Sequence, residues 1–328
     1  MDISGGNGKE IIIGILLFAV ILAGFACLQF VQSDKAQSSN NDTVEPTDTQ
    51  VSESSNVGGW VSHNLVLNAP PSKESQDSVM VYRTLSPVVT DDITLGYAKI
   101  FNVTGILKND VVIQSENNRY AIEISRISGS VTYSDYKRPN EKQDAPEFLP
   151  SDEEAIEIAT KFLKENDLYP DGVANTVVQR ENAYTVGKGD EVYFGEIGVW
   201  YRRSLNDIKV EGTQLVVYVG GGGDIIGYYA NWREYEPYKE YTVITLDKAF
   251  ENLKSEGVYV GKDNKDAQVY IDDAYLAYHT KAGAYTENYL EPVWVFKGNV
   301  MNEDNKLVTD VVQYVPALAE EPTKLVSA

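Results

Sequence analysis

The sequence predicts an α+β protein with an N-terminal transmembrane helix, followed by tandem units in which one helix packs on a curled antiparallel sheet. One long apolar run stands near the start of the 328-residue chain. Three amphipathic helical segments follow, and each precedes several strand-like runs separated by turn residues. Strands and helices do not alternate singly, so a parallel doubly wound sheet is not expected.

The apolar run, residues 11–31, is predicted to cross a membrane after a short tail, residues 1–10. It carries no charge, and a helix of this length crosses about 30 Å of hydrocarbon. A cleaved signal peptide is the alternative, although the run is longer than most signal-peptide cores. The short tail and the long acidic body favour a single-pass cell-membrane protein whose body faces outside the cytoplasm.

Cys27, the only cysteine, lies within this apolar run. The residues before it match a lipid-attachment box poorly, so we interpret it as a passive thiol within the membrane. A single cysteine also rules out an intramolecular disulfide.

Residues 32–59 are rich in Ser, Thr, Asn and Asp and lack an apolar period, which is typical of a flexible polar tether. One N-x-Ser/Thr sequon lies here, at Asn41, and a second lies at Asn102. Both asparagines are candidate glycosylation sites.

The first predicted unit spans residues 60–149. Its helix runs from Thr90, a candidate N-cap, to Phe101, and three β-rich runs follow it. The apolar face of this helix is predicted to comprise Ile93, Tyr97, Ile100 and Phe101.

The second unit, residues 150–240, begins with a helix whose Ser151 and Glu154 form a capping box. Four strands are predicted after it, near residues 175–186, 191–203, 213–219 and 225–233. The third unit, residues 241–318, has a helix from Thr245 to Gly257 and then three strands; residues 319–328 form a C-terminal tail.

Four consecutive glycines, Gly220 to Gly223, follow a strand-like run and raise the question of phosphate binding. A dinucleotide fingerprint needs a further glycine at a fixed spacing and a helix after it, and both are missing. The run therefore predicts a tight hairpin between Val219 and Ile225. Gly227 is predicted to mark a bulge or a close packing contact.

The stretch "VWYRRSLNDIKVEGTQLVVYVGGGGDIIGYYANWR" resembles the PepSY-type repeat of thermolysin-type propeptides and of membrane-anchored regulators of cell-wall sensor kinases. The preceding "SDEEAIEIATKFLKEN" resembles the opening helix of that repeat, and "YLEPVWVFKG" resembles its closing strand. The pattern covers roughly residues 80–318. The resemblance implies a module that inhibits or assists a protease, or restrains a signalling receptor.

Composition and motifs exclude several functions. With 49 acidic and 28 basic residues, the net charge of -21 disfavours nucleic acid as a partner. The two histidines, His63 and His279, are far apart in sequence and do not form a zinc-protease motif. Acidic residues near 263–266 and 272–273 do not fit a calcium loop and are interpreted as solvated turns. No catalytic residue, metal ligand or cofactor is predicted.

Among the 22 tyrosines, an aromatic series near the second hairpin stands out as a candidate binding strip. Its members are Tyr228, Tyr229, Trp232, Tyr235 and Tyr238. The favoured function is a non-enzymatic, membrane-anchored extracytoplasmic protein that binds and modulates a protein partner. The alternative is an envelope module that binds a polymer or a small ligand through the aromatic strip.

Overall fold

The described part of the chain consists mostly of β strands, with three short α-helices. A computed structural model describes residues 60–69, 77–108, 112–115, 119–135, 147–187, 189–262, 264 and 266–319. The helices are α1 (Asp91–Ile100), α2 (Asp152–Glu165) and α3 (Leu246–Glu256). The strands are β1 (Trp60–Ser62), β2 (Leu65–Leu67), β3 (Ser78–Thr84), β4 (Gly105–Lys108), β5 (Val112–Ser115), β6 (Tyr120–Ile124), β7 (Val131–Asp135), β8 (Val173–Thr185), β9 (Val192–Leu205), β10 (Ile208–Val219), β11 (Ile225–Asn231), β12 (Tyr235–Thr242), β13 (Val258–Gly261), β14 (Gln268–His279), β15 (Tyr289–Leu290), β16 (Pro292–Met301) and β17 (Leu307–Pro316).

The largest sheet joins strands from distant parts of the chain. Its order is β17-β16-β14-β10-β11-β7-β6-β5-β4, with β9 also on β10, β8 on β9, and β2 on β14. Its pairs are antiparallel except that β14 lies parallel to β10 and to β2. Two smaller sheets have the orders β1-β13 and β12-β3-β15.

A bend in β10 connects the two halves of the large sheet. The start of β10 pairs with β14 at Val210↔Tyr278, and its end pairs with β11 from Gln214 onwards. Gly212 lies between these segments at a φ of +79°, and a Cβ there would collide with the Thr280 carbonyl oxygen. Glycine is required here because both the backbone angle and the close approach exclude a side chain.

The predicted helix ends are confirmed. The Thr90 hydroxyl accepts a hydrogen bond from the Ile93 amide, and Ser151 and Glu154 form the reciprocal capping box of α2. Thr245 caps α3 in the same way, and Gly257 ends it at a φ of +78°.

The predicted buried face of α1 is only partly right. Its buried residues are Thr94 and Ala98, whereas Ile93 is exposed. Phe101 does pack inward, with its ring stacked 4.6 Å from that of Tyr133. Tyr97 also packs against this core, so the inward face combines two predicted aromatic residues with the small residues Thr94 and Ala98.

Two main cores lie beneath the helices. Under α1 and α2, residues such as Leu163, Ile197 and Val217 pack together with almost no solvent exposure. Under α3, Phe250 and Leu253 pack against strands β14, β16 and β17. Full burial of such a side chain stabilises the fold by about 1.5–3 kcal/mol.

The glycine run is a hairpin turn, as predicted. Val219 pairs with Ile225 across it, and Gly222 and Gly223 have φ values of +72° and +87°. Gly227 lies opposite a register shift, and a Cβ on it would lie 2.9 Å from the Tyr218 ring. Both expectations for Gly227 are therefore met.

The predicted fold class is wrong. The described chain is mostly β rather than α+β, and it does not contain tandem helix-on-sheet units. Strands assigned to three separate units share one sheet, and β3 of the first unit pairs with β12 and β15 of the other two. Each predicted unit paired only neighbouring strands, but the hydrogen bonds cross every boundary.

The membrane prediction finds no support in this structure. Residues 11–31 lie outside the described residues. Among the helices that are described, none is both long and apolar enough to cross a membrane.

Candidate functional site

A buried polar cluster lies where β11, β12 and the loop of residues 281–287 meet. Arg233 and Glu287 are at its centre, with 2% and 1% of their side-chain surface exposed, and 3.9 Å separates Nε of Arg233 from Oε1 of Glu287. A buried charged pair is costly to desolvate unless further hydrogen bonds satisfy both groups.

Glu287 receives hydrogen bonds on both carboxylate oxygens. Tyr235 donates its hydroxyl to Oε1 over 2.9 Å, and Thr84 donates to the same oxygen over 3.2 Å. The other oxygen, Oε2, accepts from the Thr280 hydroxyl at 2.9 Å and the Lys281 amide at 2.6 Å. The carboxylate thereby connects β3, β12 and the start of the loop.

Arg233 holds the loop from inside. Its Nη2 donates to the carbonyl oxygens of Ala282, at 3.2 Å, and Tyr285, at 2.7 Å. The neighbouring Asn231 side chain donates to the Lys281 carbonyl over 3.1 Å. The loop backbone is therefore held by buried side chains of the β11–β12 corner.

Arg203 extends the cluster. Its guanidinium lies 5.2 Å from the ring centre of Trp232 and 4.9 Å from that of Tyr235, and it donates to the Arg233 carbonyl. Burial lowers the pKa of Arg203, and nearby Tyr235, Glu234 and Asp171 oppose that shift. Burial raises the pKa of Tyr235, with the charge of Glu287 adding to the effect.

The loop contacts a second turn, residues 125–130. The Ser125 hydroxyl donates to the Gly283 carbonyl over 3.2 Å, and a Cβ on Gly283 would lie 2.5 Å from the Ser130 hydroxyl. A third segment, residues 85–88, passes against this turn, because a Cβ on Gly129 would lie 2.9 Å from Pro87 Cβ. The three segments are therefore adjacent.

Each segment leaves apolar side chains in solvent. We call these exposed apolar side chains the three-loop surface. It comprises Leu85, Val88, Ile127 and Tyr285. Val88 and Tyr285 are the most exposed, at 76% and 59%. Because the three segments are adjacent, these side chains form a candidate contact surface.

The predicted aromatic strip does not form one exposed face. Tyr228 is 3% exposed and packs in the core, with its ring 5.3 Å from that of Phe101. Tyr229 points to the opposite side of the strand and is half-buried, and Tyr235 binds Glu287 inside the cluster. Trp232 donates to the Asp171 carbonyl, and Tyr238 packs on Tyr289. Binding of a polymer or small ligand by these residues stays a prediction.

The remaining predicted positions are scattered. Asn41 lies outside the described residues; Asn102 is exposed just after α1, and its glycosylation stays a prediction. His279 is half-buried with its ring 4.2 Å from that of Tyr314, and burial lowers its pKa against the opposing charges of Glu287 and Glu211. In the described part of the chain, His, Cys, Asp and Glu side chains do not converge in a group able to hold a metal ion.

Sequence reasoning missed the central pair. Arg233 and Glu287 each stand in a polar stretch at the end of a strand, where charged residues are usually solvated. Arg203 and Arg233 both lie in the stretch that resembles the PepSY repeat, but that resemblance indicated neither burial nor a partner for them. Pairing between residues 54 positions apart cannot be deduced from local pattern.

Comparison with known proteins yields only weak similarity. No family model and no curated protein matches the chain. An uncharacterized protein from Eubacterium rectale is 13% identical, with a TM-score of 0.43 over 77% of this chain and 88% of that chain. The Bacillus megaterium YpeB C-terminal domain is 15% identical, with a TM-score of 0.29 over 71% of this chain and 99% of that chain. At these scores neither likeness carries an argument.

Proposed function

We propose that this chain is a non-enzymatic protein that binds and modulates a protein partner through the three-loop surface. The observation that carries the proposal is the buried anchorage of the loop at residues 281–287. Arg233 and Glu287 fix its backbone while Tyr285 stays 59% exposed. A pre-ordered loop loses less conformational entropy on binding, which favours affinity.

The resemblance to PepSY-type repeats supports the choice of partner, a protease or a signalling receptor. The net charge of -21 favours a partner whose contacting face is basic. The composition supports the absence of an enzymatic role, since two distant histidines and one cysteine supply few groups for acid–base or nucleophilic catalysis.

Affinity capture with the full chain tests the proposal, by comparing variants of the bait. Ile127→Ser and Tyr285→Ser remove apolar contact area from the three-loop surface. A partner recovered by the wild-type chain is expected to decrease by about tenfold or more with the double variant, since each buried aromatic or aliphatic anchor contributes over 1 kcal/mol.

Matched controls use side chains of the same types at other exposed positions. Ile106→Ser and Tyr259→Ser alter residues on β4 and β13 that are also exposed, and they are expected to leave capture unchanged. Equal recovery with both double variants would contradict the proposed surface. No specific partner with the wild-type chain would contradict the proposed function itself.

A further inference from the structure

The strand β17 lies at an open edge of the large sheet. It pairs with β16 along its length, and no described strand pairs with its other side. Just beyond its end, Leu318 forms an antiparallel bridge with Val243, so the open edge stops at Pro316.

The sequence of β17, "LVTDVVQYVP", has one charged residue, Asp310, and its proline is at the end. Its register with β16 shifts once, between Leu307 and Thr309, and the stretch from Thr309 to Val315 has no lysine, proline or bulge. Such features usually protect natural edge strands, and an unprotected edge is a template for another strand.

The hydrogen-bond pattern shows which groups point outward. Ala317 donates its amide to the Pro292 carbonyl over 3.1 Å, and Val293 lies opposite Pro316. In an antiparallel ladder, bonded and non-bonded positions alternate. The amides and carbonyls of Asp310, Val312 and Tyr314 therefore point away from β16, towards the open edge.

The side chains of the same residues are also accessible. Val311 and Val315 are buried under α3, whereas Asp310, Val312 and Tyr314 are exposed. The Tyr314 ring packs 4.2 Å from the His279 ring, which orders it. The outward-pointing face of β17 thus offers a backbone ladder, two apolar side chains and one carboxylate.

We propose that β17 accepts an extended segment of a partner protein as an added strand, and that this segment alternates basic and apolar residues. Charge selects this occupant over a second copy of the chain, because two chains of net charge -21 repel each other while a basic segment is attracted. Asp310 on the strand, and Glu303 and Asp304 in the exposed turn before it, outnumber the one lysine of that turn, Lys306, so the local charge is also negative. Main-chain bonds supply affinity and the alternating side chains supply selectivity.

Binding of a peptide to β17 is tested by titrating the full chain into a fluorescently labelled synthetic decapeptide of alternating valine and lysine. The fluorescence anisotropy of the peptide is measured. Saturable binding is expected for the wild-type chain. Val312→Pro removes an outward amide without breaking the bonds to β16, since proline is tolerated at such edge positions. It should weaken binding by about tenfold, whereas Val312→Ala, which keeps the amide, should change it by less than about threefold.

A second measurement separates strand pairing from charge attraction and does not depend on any variant folding. Two further peptides keep the charge but lose the donors of one edge each, by N-methylation of the valines in one and of the lysines in the other. At least one of them should bind about tenfold more weakly. Equal binding of all three peptides would overturn the inference. Sedimentation of the wild-type chain as a dimer that Val312→Pro converts to a monomer would also overturn it, in favour of self-pairing. Neither result affects the three-loop surface, which uses other residues.

Discussion

Replacing Arg233 by methionine tests whether the buried pair holds the fold of the site. The substitution keeps much of the side-chain volume but removes the donors to the carbonyls of Ala282 and Tyr285. It also leaves the carboxylate of Glu287, 1% exposed, without its cationic neighbour. Removal of one partner from a buried ion pair costs about 3–5 kcal/mol.

An exposed ion pair in the same protein provides a comparison for the stability loss expected in Arg233→Met. Arg83 and Glu236 lie 3.1 Å apart, but their side chains are 51% and 47% exposed. Such pairs contribute about 0–1 kcal/mol, so Arg83→Met is the matched control. At roughly 2–4 °C for each kcal/mol, Arg233→Met should lower Tm by about 6–20 °C and Arg83→Met by no more than about 4 °C.

The assay is thermal unfolding followed by circular dichroism, with hydrogen exchange of the amides in residues 281–287. The loop amides should lose protection in Arg233→Met because their anchor is gone. Combining Arg233→Met with Glu287→Gln should recover part of the loss, because the uncompensated charge is removed. A Tm decrease in Arg233→Met no larger than in Arg83→Met would refute the role given to the pair.

Two further predictions concern pH and backbone geometry. Burial raises the pKa of Glu181 above its ordinary 4.5, and the hydrogen bond from Trp200 opposes this shift. The folded state therefore binds the proton more tightly than the unfolded state. The free energy of unfolding decreases as pH rises through the raised pKa. Glu181→Gln keeps an acceptor for Trp200 but cannot ionise. In urea unfolding between about pH 4 and pH 8, the variant should gain stability relative to wild type towards pH 8. A difference in unfolding free energy that stays constant with pH would contradict this prediction. Gly212→Ala should lower the free energy of unfolding in urea more than Gly222→Ala does. Both substitutions incur the positive-φ strain of about 1–3 kcal/mol, but of these two positions Gly212 alone faces a carbonyl oxygen, that of Thr280. Equal losses would show that the bend tolerates a Cβ.

The local elements were predictable because their signals are contained in a few adjacent residues. Ser151 and Glu154 cap α2 through bonds three residues apart, and the hairpin between Val219 and Ile225 needs only glycines that accept positive φ. The fold class was not predictable in this way. The short parallel ladder at Val210↔Tyr278 joins residues 68 positions apart and depends on the bend at Gly212, which has no distinctive sequence pattern.

The aromatic series is the more visible candidate in the sequence, but the polar cluster is the better-built site. Tyrosines in strands fill cores as readily as they bind ligands, and Tyr228 does the former. Arg233 and Glu287 are informative only in three dimensions, because a buried charge is tolerated only where several donors and acceptors meet it. Glu287 has four hydrogen bonds from three elements, and all of them end at the base of one loop. Hydrogen bonds from two buried charged residues to one loop favour a single conformation of its backbone, which is the property that a selective contact surface requires.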